Sequence, residues 1–333
     1  MESETKRVFV TGGSGFIGTN LIARLRDEGR LVLNADAQPP RNPAQKELYR
    51  QVDILDSEAL KNALVEFAPT HVVHLAARTD LDGKTPDEYR VNTEGTRNLI
   101  RALAATPTVR RTIFTSTKLV CESGHSPRDE EDFCPDTAYG RSKAQMEQMI
   151  RSEAKEGDLA CSWCIARPTS IWGPWYSIPY HAFLLSVARG RYVHPGRRNP
   201  PRSFGYVENY AFQTLKLLEA PAEAVQGKVF YLSDYDEFTI RAWAEAVAAA
   251  TGGKRIRTIP AGLMRLLAAT GDVCKFLGWK TVPISSFRLR NMWADTTGIP
   301  LENTRALTGP LPFTMRDGVR RTVEWMRREG VIP

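Results

Sequence analysis

The chain has 333 residues, of which 42% are hydrophobic and 25% are charged, as in ordinary globular proteins. Its apolar runs have the length of strands, which excludes a membrane span of roughly 20 residues. The five cysteines are an odd number for a disulfide framework, and the charged N-terminus leads directly into a strand. We therefore expect a cytoplasmic protein.

The formal net charge of +7 is moderately basic. Part of it lies near the C-terminus, where arginines alternate with apolar residues at helical spacing and predict a solvated helix face. No platform of aromatic and basic residues accompanies them, so we do not expect nucleic-acid binding. The charge also suits an anionic small-molecule substrate.

The first half of the chain alternates strand and helix patterns. Strands are predicted over residues 7–11, 30–36, 50–54, 70–76, 110–116 and 160–168, and amphipathic helices over 16–29, 57–67, 86–105 and 138–157. Such alternation predicts an α/β fold with a doubly wound parallel sheet. After residue 170, segments rich in proline, glycine and aromatics predict long loops and a smaller lobe.

Cys161 and Cys164 form a C-x-x-C motif inside the last of these predicted strands. Residues three apart in a strand point to opposite faces of the sheet. That geometry suits neither a zinc site nor a redox pair, so we expect no metal site.

The segment TGGSGFIG, residues 11–18, links the first strand to the first helix. Gly12, Gly15 and Gly18 have the spacing of a tight turn, a close approach to pyrophosphate and close helix–strand packing. Phe16 and Ile17 begin the helix, whose N-terminal N–H groups and dipole favour a phosphate. The pattern predicts a Rossmann-type site for a dinucleotide.

Asp36 closes the second strand, where an acidic residue would bind a ribose 2′-hydroxyl. A carboxylate at this position repels the 2′-phosphate of NADP, so we predict NAD as the cofactor. The expected domains are an NAD-binding domain over residues 1–170 and a mainly substrate-binding α/β lobe over 171–333. Some strands of this lobe can return to the first sheet.

Tyr139 and Lys143 lie four residues apart at the start of a predicted helix, in TAYGRSKAQ. This spacing places both side chains on one face. A neighbouring ammonium group would lower the pKa of the phenol and make it a better base at neutral pH. A solvated Tyr–Lys pair on a helix surface is the alternative interpretation.

Five segments in order resemble the extended short-chain dehydrogenase/reductase family, and within it the NAD-dependent epimerase/dehydratase branch that acts on nucleotide sugars. Besides the glycine turn they are HLAA (74–77), NTEGTRNL (92–99), FTST (114–117) and YGRSK (139–143). The resemblance implies that Tyr139 is the general base and that Lys143 holds the nicotinamide ribose. It places the catalytic hydroxyl at Thr117, with Ser116 just before it.

The resemblance also implies further contacts to NAD. Asp53 and Ile54 match positions that flank adenine. The other matching positions lie along the cofactor or behind it: Leu75, Ala76, Ala77 and Asn92. Relatives often pair through two long helices, here about 87–105 and 138–156, so a homodimer is expected.

The residues after Thr117 bear on the reaction. Dehydratases of this family carry Asp-Glu there and decarboxylases carry Glu at the second position, whereas this chain has Lys118 and Leu119. Neither side chain can do that proton work. Oxidation and reduction at one carbinol carbon remain, and reduction on the opposite face of the ketone would give epimerisation.

The second half offers substrate residues by the same resemblance. Arg202 matches an arginine that grips the diphosphate, whereas Ser170 stands where many relatives carry an asparagine that touches it. We therefore predict an NAD-dependent epimerase of a nucleotide-diphosphate sugar. YVEN (206–209) is also close to hydroxysteroid- and flavonoid-type relatives, so an NAD(P)-dependent alcohol dehydrogenase or carbonyl reductase is the alternative. A catalytically idle NAD-binding sensor is disfavoured, because the tyrosine, lysine and hydroxyl are all present.

Overall fold

The chain forms two compact units, each built from separate segments. The computed structural model describes residues 6–122, 124–125, 127–176, 180–253, 255–279, 285–294 and 296–333. The first unit consists of Met1–Ile171, Gly205–Tyr235 and Pro300–Pro312, and the second of Trp172–Phe204, Asp236–Ile299 and Phe313–Pro333.

The strands are short, and most of the longer ones belong to the first unit. In chain order they are β1 (Arg7–Thr11), β2 (Leu31–Asp36), β3 (Tyr49–Gln51), β4 (His71–His74), β5 (Arg111–Thr115), β6 (Ser162–Pro168), β7 (Ser170–Trp172), β8 (Val193–Pro195), β9 (Pro201–Arg202), β10 (Phe204–Tyr206), β11 (Val229–Leu232), β12 (Phe238–Thr239) and β13 (Arg257–Ile259).

The helices differ widely in length. In chain order they are α1 (Phe16–Asp27), α2 (Ser57–Phe67), α3 (Arg90–Ala104), α4 (Ala138–Glu156), α5 (Tyr180–Ala188), α6 (Val207–Glu219), α7 (Ala222–Val225), α8 (Ile240–Ala250), α9 (Ala261–Phe276), α10 (Ser286–Trp293), α11 (Glu302–Thr308) and α12 (Met315–Arg328). Short 3₁₀ helices cover Pro43–Leu48, Pro86–Tyr89 and Lys118–Val120.

A seven-stranded sheet in the order β11-β6-β5-β4-β1-β2-β3 forms the centre of the first unit. Every neighbouring pair in it is parallel. Helices α2, α3 and α4 pack side by side, and α1, α6 and α11 form another group. Fully buried strand residues such as Val72, Val73, Ile113 and Phe114 show that both faces are covered. The predicted doubly wound α/β fold is confirmed.

Helix α4 carries two of the predicted catalytic residues, and its ends are defined by local sequence. The Thr137 hydroxyl accepts a hydrogen bond from the Gly140 N–H at 3.0 Å and caps the N-terminus. At the other end Gly157 adopts φ +93°, which a glycine reaches without strain. The cap fixes Tyr139 in the first turn of the helix.

The second unit contains helices α5, α8, α9, α10 and α12 and two small sheets, β8–β13 and β9–β12. Its centre is aromatic: Trp243 lies 5.0 Å from Trp172 and 4.7 Å from Phe183, measured between ring centroids. Phe204 and Phe238 stack at 4.9 Å beside them. Such ring pairs stabilise a core beyond the area they bury.

Among the described residues, no helix combines the length and the apolar character needed to cross a membrane. Helices α3 and α4, proposed above as a dimer interface, pack against each other within the chain. On α4, Met146 and Ile150 are fully buried and so belong to the protomer's own core. The homodimer stays a prediction.

Candidate active site

Most of the predicted site residues follow neighbouring parallel strands at one edge of the sheet. Gly12 follows β1, Asp36 ends β2, Leu75 follows β4 and Ser116 follows β5, and these four strands are adjacent in the order β5-β4-β1-β2. Because parallel strands end on the same side, their carboxyl ends form one crevice. The glycine turn and the hydroxyl residues therefore share an edge.

The three motif glycines have different surroundings. Gly12 adopts φ +71°, and a Cβ there would lie 2.5 Å from the Ala76 nitrogen. A Cβ on Gly18 would lie 2.5 Å from the Gly13 Cα, whereas one on Gly15 would meet only the Gly12 oxygen, at 3.2 Å. Gly12 and Gly18 thus allow close packing, and Gly15 leaves space beside the turn.

The N-terminus of α1 is suited to an anion. Its cap residue, Gly15, provides no side-chain cap, and the first turn from Phe16 carries no acidic residue. No carboxylate of the first turn of α1 therefore neutralises the positive end of the helix dipole. A pyrophosphate fits this turn.

Asp36 connects the glycine turn to the end of β2. Its carboxylate accepts hydrogen bonds from the Ser14 N–H at 3.0 Å and the Gln38 N–H at 2.9 Å. Burial raises the pKa of Asp36, and these two hydrogen bonds counteract the shift. The half-buried carboxylate is a charged acceptor beside the glycine turn, and its contact with a ribose stays a prediction.

The strip after β4 lies against the turn. The Leu75 N–H donates to the Thr11 carbonyl at 3.0 Å, and the Ala76 N–H donates to the Thr11 hydroxyl at 3.3 Å. Leu75, Ala76 and Ala77 are all half-buried.

The two residues predicted to flank adenine differ in exposure. Asp53 is exposed and its carboxylate accepts from the Leu55 N–H at 2.9 Å. Ile54 is buried, and its side chain fills the space beside Gly95. Ile54 therefore contributes to packing between the β3–α2 connection and α3.

Tyr139 and Thr117 meet at the edge of the sheet. The Thr117 hydroxyl forms a hydrogen bond with the Tyr139 phenol and also accepts from the Leu119 N–H at 3.2 Å. Tyr139 is buried, with its ring 6.0 Å from that of Tyr89. The solvated Tyr–Lys pair considered above is wrong, because both side chains are buried.

The acidity of the phenol differs from the expectation. Burial raises the pKa of Tyr139 to about 12, and the hydrogen bond from Thr117 opposes the rise. Lys143 is not among the groups that lower the pKa of Tyr139, and its ammonium donates to the Thr115 carbonyl at 2.7 Å. Burial therefore favours the neutral phenol over the phenolate.

Lys143 is itself perturbed. Burial lowers the pKa of its ammonium group from 10.5 to about 7, and the charge of Glu147 opposes this shift. Tyr139, Lys143 and Glu147 lie at successive four-residue steps on one face of α4. Glu147 in turn forms a bidentate ion pair with Arg167 of β6, at 2.9 and 2.7 Å. This pair connects the face of α4 that carries Tyr139 and Lys143 to the sheet.

Lys143 gives a pH-dependent prediction. Between its folded pKa of about 7 and its ordinary value of 10.5, the unfolded chain holds a proton that the folded chain lacks. The free energy of unfolding of the cofactor-free protein should therefore rise with pH over that range, by up to about 1.4 kcal/mol per pH unit. Urea unfolding of the wild type and Lys143→Met at several pH values measures this. A pH dependence that is the same in both proteins would contradict the assignment.

Asn92 lies on α3 behind the strip after β4, and its part in cofactor binding stays a prediction. Its side chain accepts from the Arg78 N–H at 2.9 Å and donates to the Arg78 carbonyl and to the Ser142 hydroxyl, at 3.1 and 3.0 Å. Ser142 donates to the Tyr139 carbonyl at 2.7 Å. Asn92 therefore connects the strip after β4 to the first turn of α4.

Ser116 is buried beside Thr117, and its hydroxyl has no hydrogen-bond partner among the described residues. A buried hydroxyl without a partner is costly unless another group satisfies it. A ligand at this edge would supply such a group.

The two predicted substrate residues fall in different units. Ser170 begins β7 and is half-buried in the first unit. Arg202 lies on β9 of the second unit, which pairs with β12, and its guanidinium lies 5.6 Å from the Phe204 ring centroid. Their roles remain predictions.

Comparison with known proteins identifies the family. The sequence model of the NAD dependent epimerase/dehydratase family matches residues 8–233. The chain belongs to this family. The resemblance drawn from the five motifs is confirmed, and the cofactor is NAD, which the glycine turn and the Asp36 carboxylate fit.

The proteins to which the chain is similar differ in activity. A 3 beta-hydroxysteroid dehydrogenase/Delta 5-->4-isomerase of Mycobacterium tuberculosis is 29% identical, over 80% of this chain and 77% of its own. An Escherichia coli O157:H7 4-epimerase of N-acetyl-alpha-D-glucosaminyl-diphospho-ditrans,octacis-undecaprenol is 27% identical, over 96% and 94%. The structure of a Thermotoga maritima UDP-glucose 4-epimerase with UDP-glucose superposes with a TM-score of 0.75 at 20% identity, covering 97% and 99%. The last likeness shows the shared fold.

Proposed function

We propose that the protein is an NAD-dependent epimerase of a nucleotide-diphosphate sugar, acting at carbon 4 through a keto-sugar intermediate. The observation that carries the proposal is the buried Tyr139 phenol, hydrogen-bonded to Thr117 at the same sheet edge as the glycine turn. The epimerase relative that aligns over 96% of the chain supports it.

Tyr139 does the proton work in this proposal. It takes the proton of the reacting hydroxyl group as the carbinol is oxidised, and it returns a proton when the ketone is reduced. Thr117 donates a hydrogen bond to the reacting oxygen, and Ser116 supplies a second hydroxyl beside it. When bound, NAD supplies the hydride acceptor and a positive charge that favours the phenolate. Lys143 would hold the nicotinamide ribose.

The segment after Thr117 favours this reaction over dehydration or decarboxylation. Residues Lys118–Val120 form a short 3₁₀ helix, with Lys118 and Leu119 at its first two positions. Neither side chain offers a carboxylate next to Thr117. At this position the chain therefore has no acid or base that could transfer a proton to or from a second carbon of the sugar.

Asp36 gives a prediction for the cofactor. Replacement by asparagine should weaken NAD binding about ten- to hundredfold, because a charged acceptor to the ribose hydroxyls is lost. The preference for NAD over NADP should narrow as well. Titration of both cofactors by calorimetry measures this, with Asp27→Asn, an exposed change on α1, as the control. An unchanged preference would place the ribose contact elsewhere.

Arg202 gives a prediction for the substrate. Arg202→Ala should raise KM for a diphosphate sugar about ten- to hundredfold with a smaller effect on kcat, because a bidentate charge-assisted contact to phosphate is lost. Steady-state kinetics with UDP-sugars measures it. Arg320→Ala, an exposed arginine on α12 paired with Glu324, should leave KM unchanged. An equal KM for Arg202→Ala and the wild type would show that Arg202 does not bind the diphosphate.

A hydroxysteroid-type dehydrogenase is the second candidate, and the M. tuberculosis relative favours it. A steroid alcohol carries no diphosphate, so Arg202→Ala would hardly alter its KM. NADH would also accumulate with turnover, whereas an epimerase returns the electrons to its product. Assays with hydroxysteroids and sugar nucleotides, each with and without added NAD, separate the two functions.

A further inference from the structure

Large exposed apolar side chains concentrate on one helix of the second unit. Seven of the ten described residues of this kind belong to α9 and the three residues after it: Leu263, Leu266, Leu267, Val273, Phe276, Leu277 and Trp279. Phe276 is 91% exposed and Leu277 is 71% exposed. These seven residues are called the α9 patch below. Monomeric soluble proteins rarely expose a contiguous apolar patch without a binding role.

The α9 patch is not the face that holds the helix in place. Met264 and Ala268 lie on the other side of α9 and form a buried cluster with Leu289 of α10, against which Trp293 packs. Most of the patch recurs at three- and four-residue steps along the opposite side of the helix. Helix α9 is therefore apolar on two sides, and one of them faces solvent.

The segment that contains the patch is strongly basic. Residues 254–294 contain eight lysines and arginines but one acidic residue, Asp272. Asp272 accepts hydrogen bonds from the Ser286 N–H at 3.2 and 3.3 Å, at the start of α10. The excess of basic over acidic residues in this segment equals the net charge of the whole chain. Arg255, Arg257, Arg265 and Arg290 are exposed.

We propose that the α9 patch docks onto an anionic lipid bilayer, with α9 lying in the plane of the interface. Leucine, phenylalanine and tryptophan exposed on one side of a helix, in a segment rich in exposed arginines, are features of a helix that lies on a membrane. The apolar side chains enter the acyl boundary, and the arginines contact the headgroups. The proposal does not depend on the reaction proposed above.

The charge favours a membrane over a second copy of this chain. Two copies joined through the α9 patch would bring two strongly basic segments together, and like charges oppose such contact. An anionic lipid surface instead attracts each basic residue by about 1 kcal/mol. That attraction weakens with salt because it is screened.

Vesicle co-sedimentation tests the proposal with the full chain. Wild-type protein should sediment with vesicles of phosphatidylcholine and phosphatidylglycerol, less with phosphatidylcholine alone, and less again in high salt. The double variant Leu266→Ser/Phe276→Ser should lose at least about tenfold in vesicle affinity, because two side chains no longer enter the acyl region. Both side chains are mainly exposed, so the fold should survive.

The matched control is Leu31→Ser/Val65→Ser. These residues are each 49% exposed in the first unit, outside the patch. The control should bind vesicles as the wild type does. The proposal would be overturned if the wild type stayed in the supernatant with every vesicle, or if the patch variant bound unchanged. It would also be overturned if light scattering showed that the patch variant turns a dimer into a monomer while vesicle binding is absent.

A second, independent observation concerns the segment between Thr117 and Tyr139. Ligand atoms of Cys121, His125 and Cys134 all lie within 4.8 Å of one another. Cys121 and Cys134 are directly opposed in an isolated parallel bridge. The His125 Nε2 lies 3.1 Å from the Asp132 carboxylate. When Nε2–H donates to that carboxylate, Nδ1 carries the lone pair that can bind a metal ion.

The geometry points to a site for a zinc-like divalent cation, bound by two thiolates and one imidazole. Thiolate and imidazole are the ligands that zinc prefers, and a carboxylate behind the histidine is the usual partner that orients it. A disulfide between the cysteines would need no histidine. The site uses different cysteines from the C-x-x-C motif. Metal binding would connect the beginning and the end of the segment between Thr117 and Tyr139.

Cobalt titration of the reduced, metal-free chain tests this site. Equimolar Co²⁺ should give a thiolate-to-cobalt charge-transfer band in the wild type and in Cys274→Ser, whose cysteine lies on α9. Cys134→Ser should lose the band, and Asp132→Asn should weaken binding about 10–100-fold. The proposal would be overturned if the wild type showed no such band, or if Cys134→Ser showed it unchanged.

Discussion

Replacement of Tyr139 by phenylalanine is expected to lower kcat about 10²–10⁴-fold, the range that a general acid–base group contributes. The variant removes the phenol oxygen that bonds to Thr117 and keeps the buried ring against Tyr89. NAD binding should persist, because the glycine turn and Asp36 are untouched. Turnover of a sugar nucleotide by NMR and NAD titration by calorimetry measure the two effects.

Tyr89→Phe is the matched control. Its ring is the neighbour of Tyr139, and its hydroxyl donates to the Asp80 carbonyl at 2.9 Å, away from the reacting groups. The control should keep kcat within a few-fold of the wild type. A near-normal kcat in Tyr139→Phe would show that the Tyr139 phenol is not the general base.

Gly12→Ala is expected to reduce the free energy of unfolding by about 2–5 kcal/mol and to abolish NAD binding. The left-handed backbone at φ +71° costs an alanine about 1–2 kcal/mol. Its Cβ would also lie 2.5 Å from the Ala76 nitrogen, and relieving this overlap costs about 1–3 kcal/mol more. Urea unfolding and NAD titration measure the outcome.

Gly29→Ala separates the two contributions. Gly29 has nearly the same backbone angle, φ +70°, but no atom lies within 4 Å of its added Cβ. This control should lose only the conformational part, about 1–2 kcal/mol, and should bind NAD normally. Equal losses in both variants would show that the turn tolerates a side chain at Gly12.

The sheet and the cofactor turn could be predicted because short stretches of sequence define them. The local signals are the glycines of the turn, strands rich in β-branched residues and an acidic residue at the end of β2. The alternation of strands and helices also predicts the parallel pairing of the strands, because the helices form the crossovers. The match of the family model to residues 8–233 agrees with these local signals.

Contacts between distant residues could not be predicted in the same way. Lys143 donates to the Thr115 carbonyl, and a carbonyl group carries no residue-specific signal. The raised pKa of Tyr139 depends on how deeply α4 is buried, which spacing alone does not give. The exposure of the α9 patch could not be predicted either. Helix α9 has apolar residues on both sides, and its packing on α10 decides which of them are buried.

The most direct test of the central claim follows the hydrogen at carbon 4. UDP-, GDP-, CDP- and dTDP-sugars carrying deuterium at that carbon are incubated with the enzyme, and products are read by NMR. An epimerase that uses NAD as proposed should invert carbon 4 and retain the deuterium there, without added NAD and without releasing NADH. Loss of deuterium to water, or stoichiometric NADH release, would contradict the account.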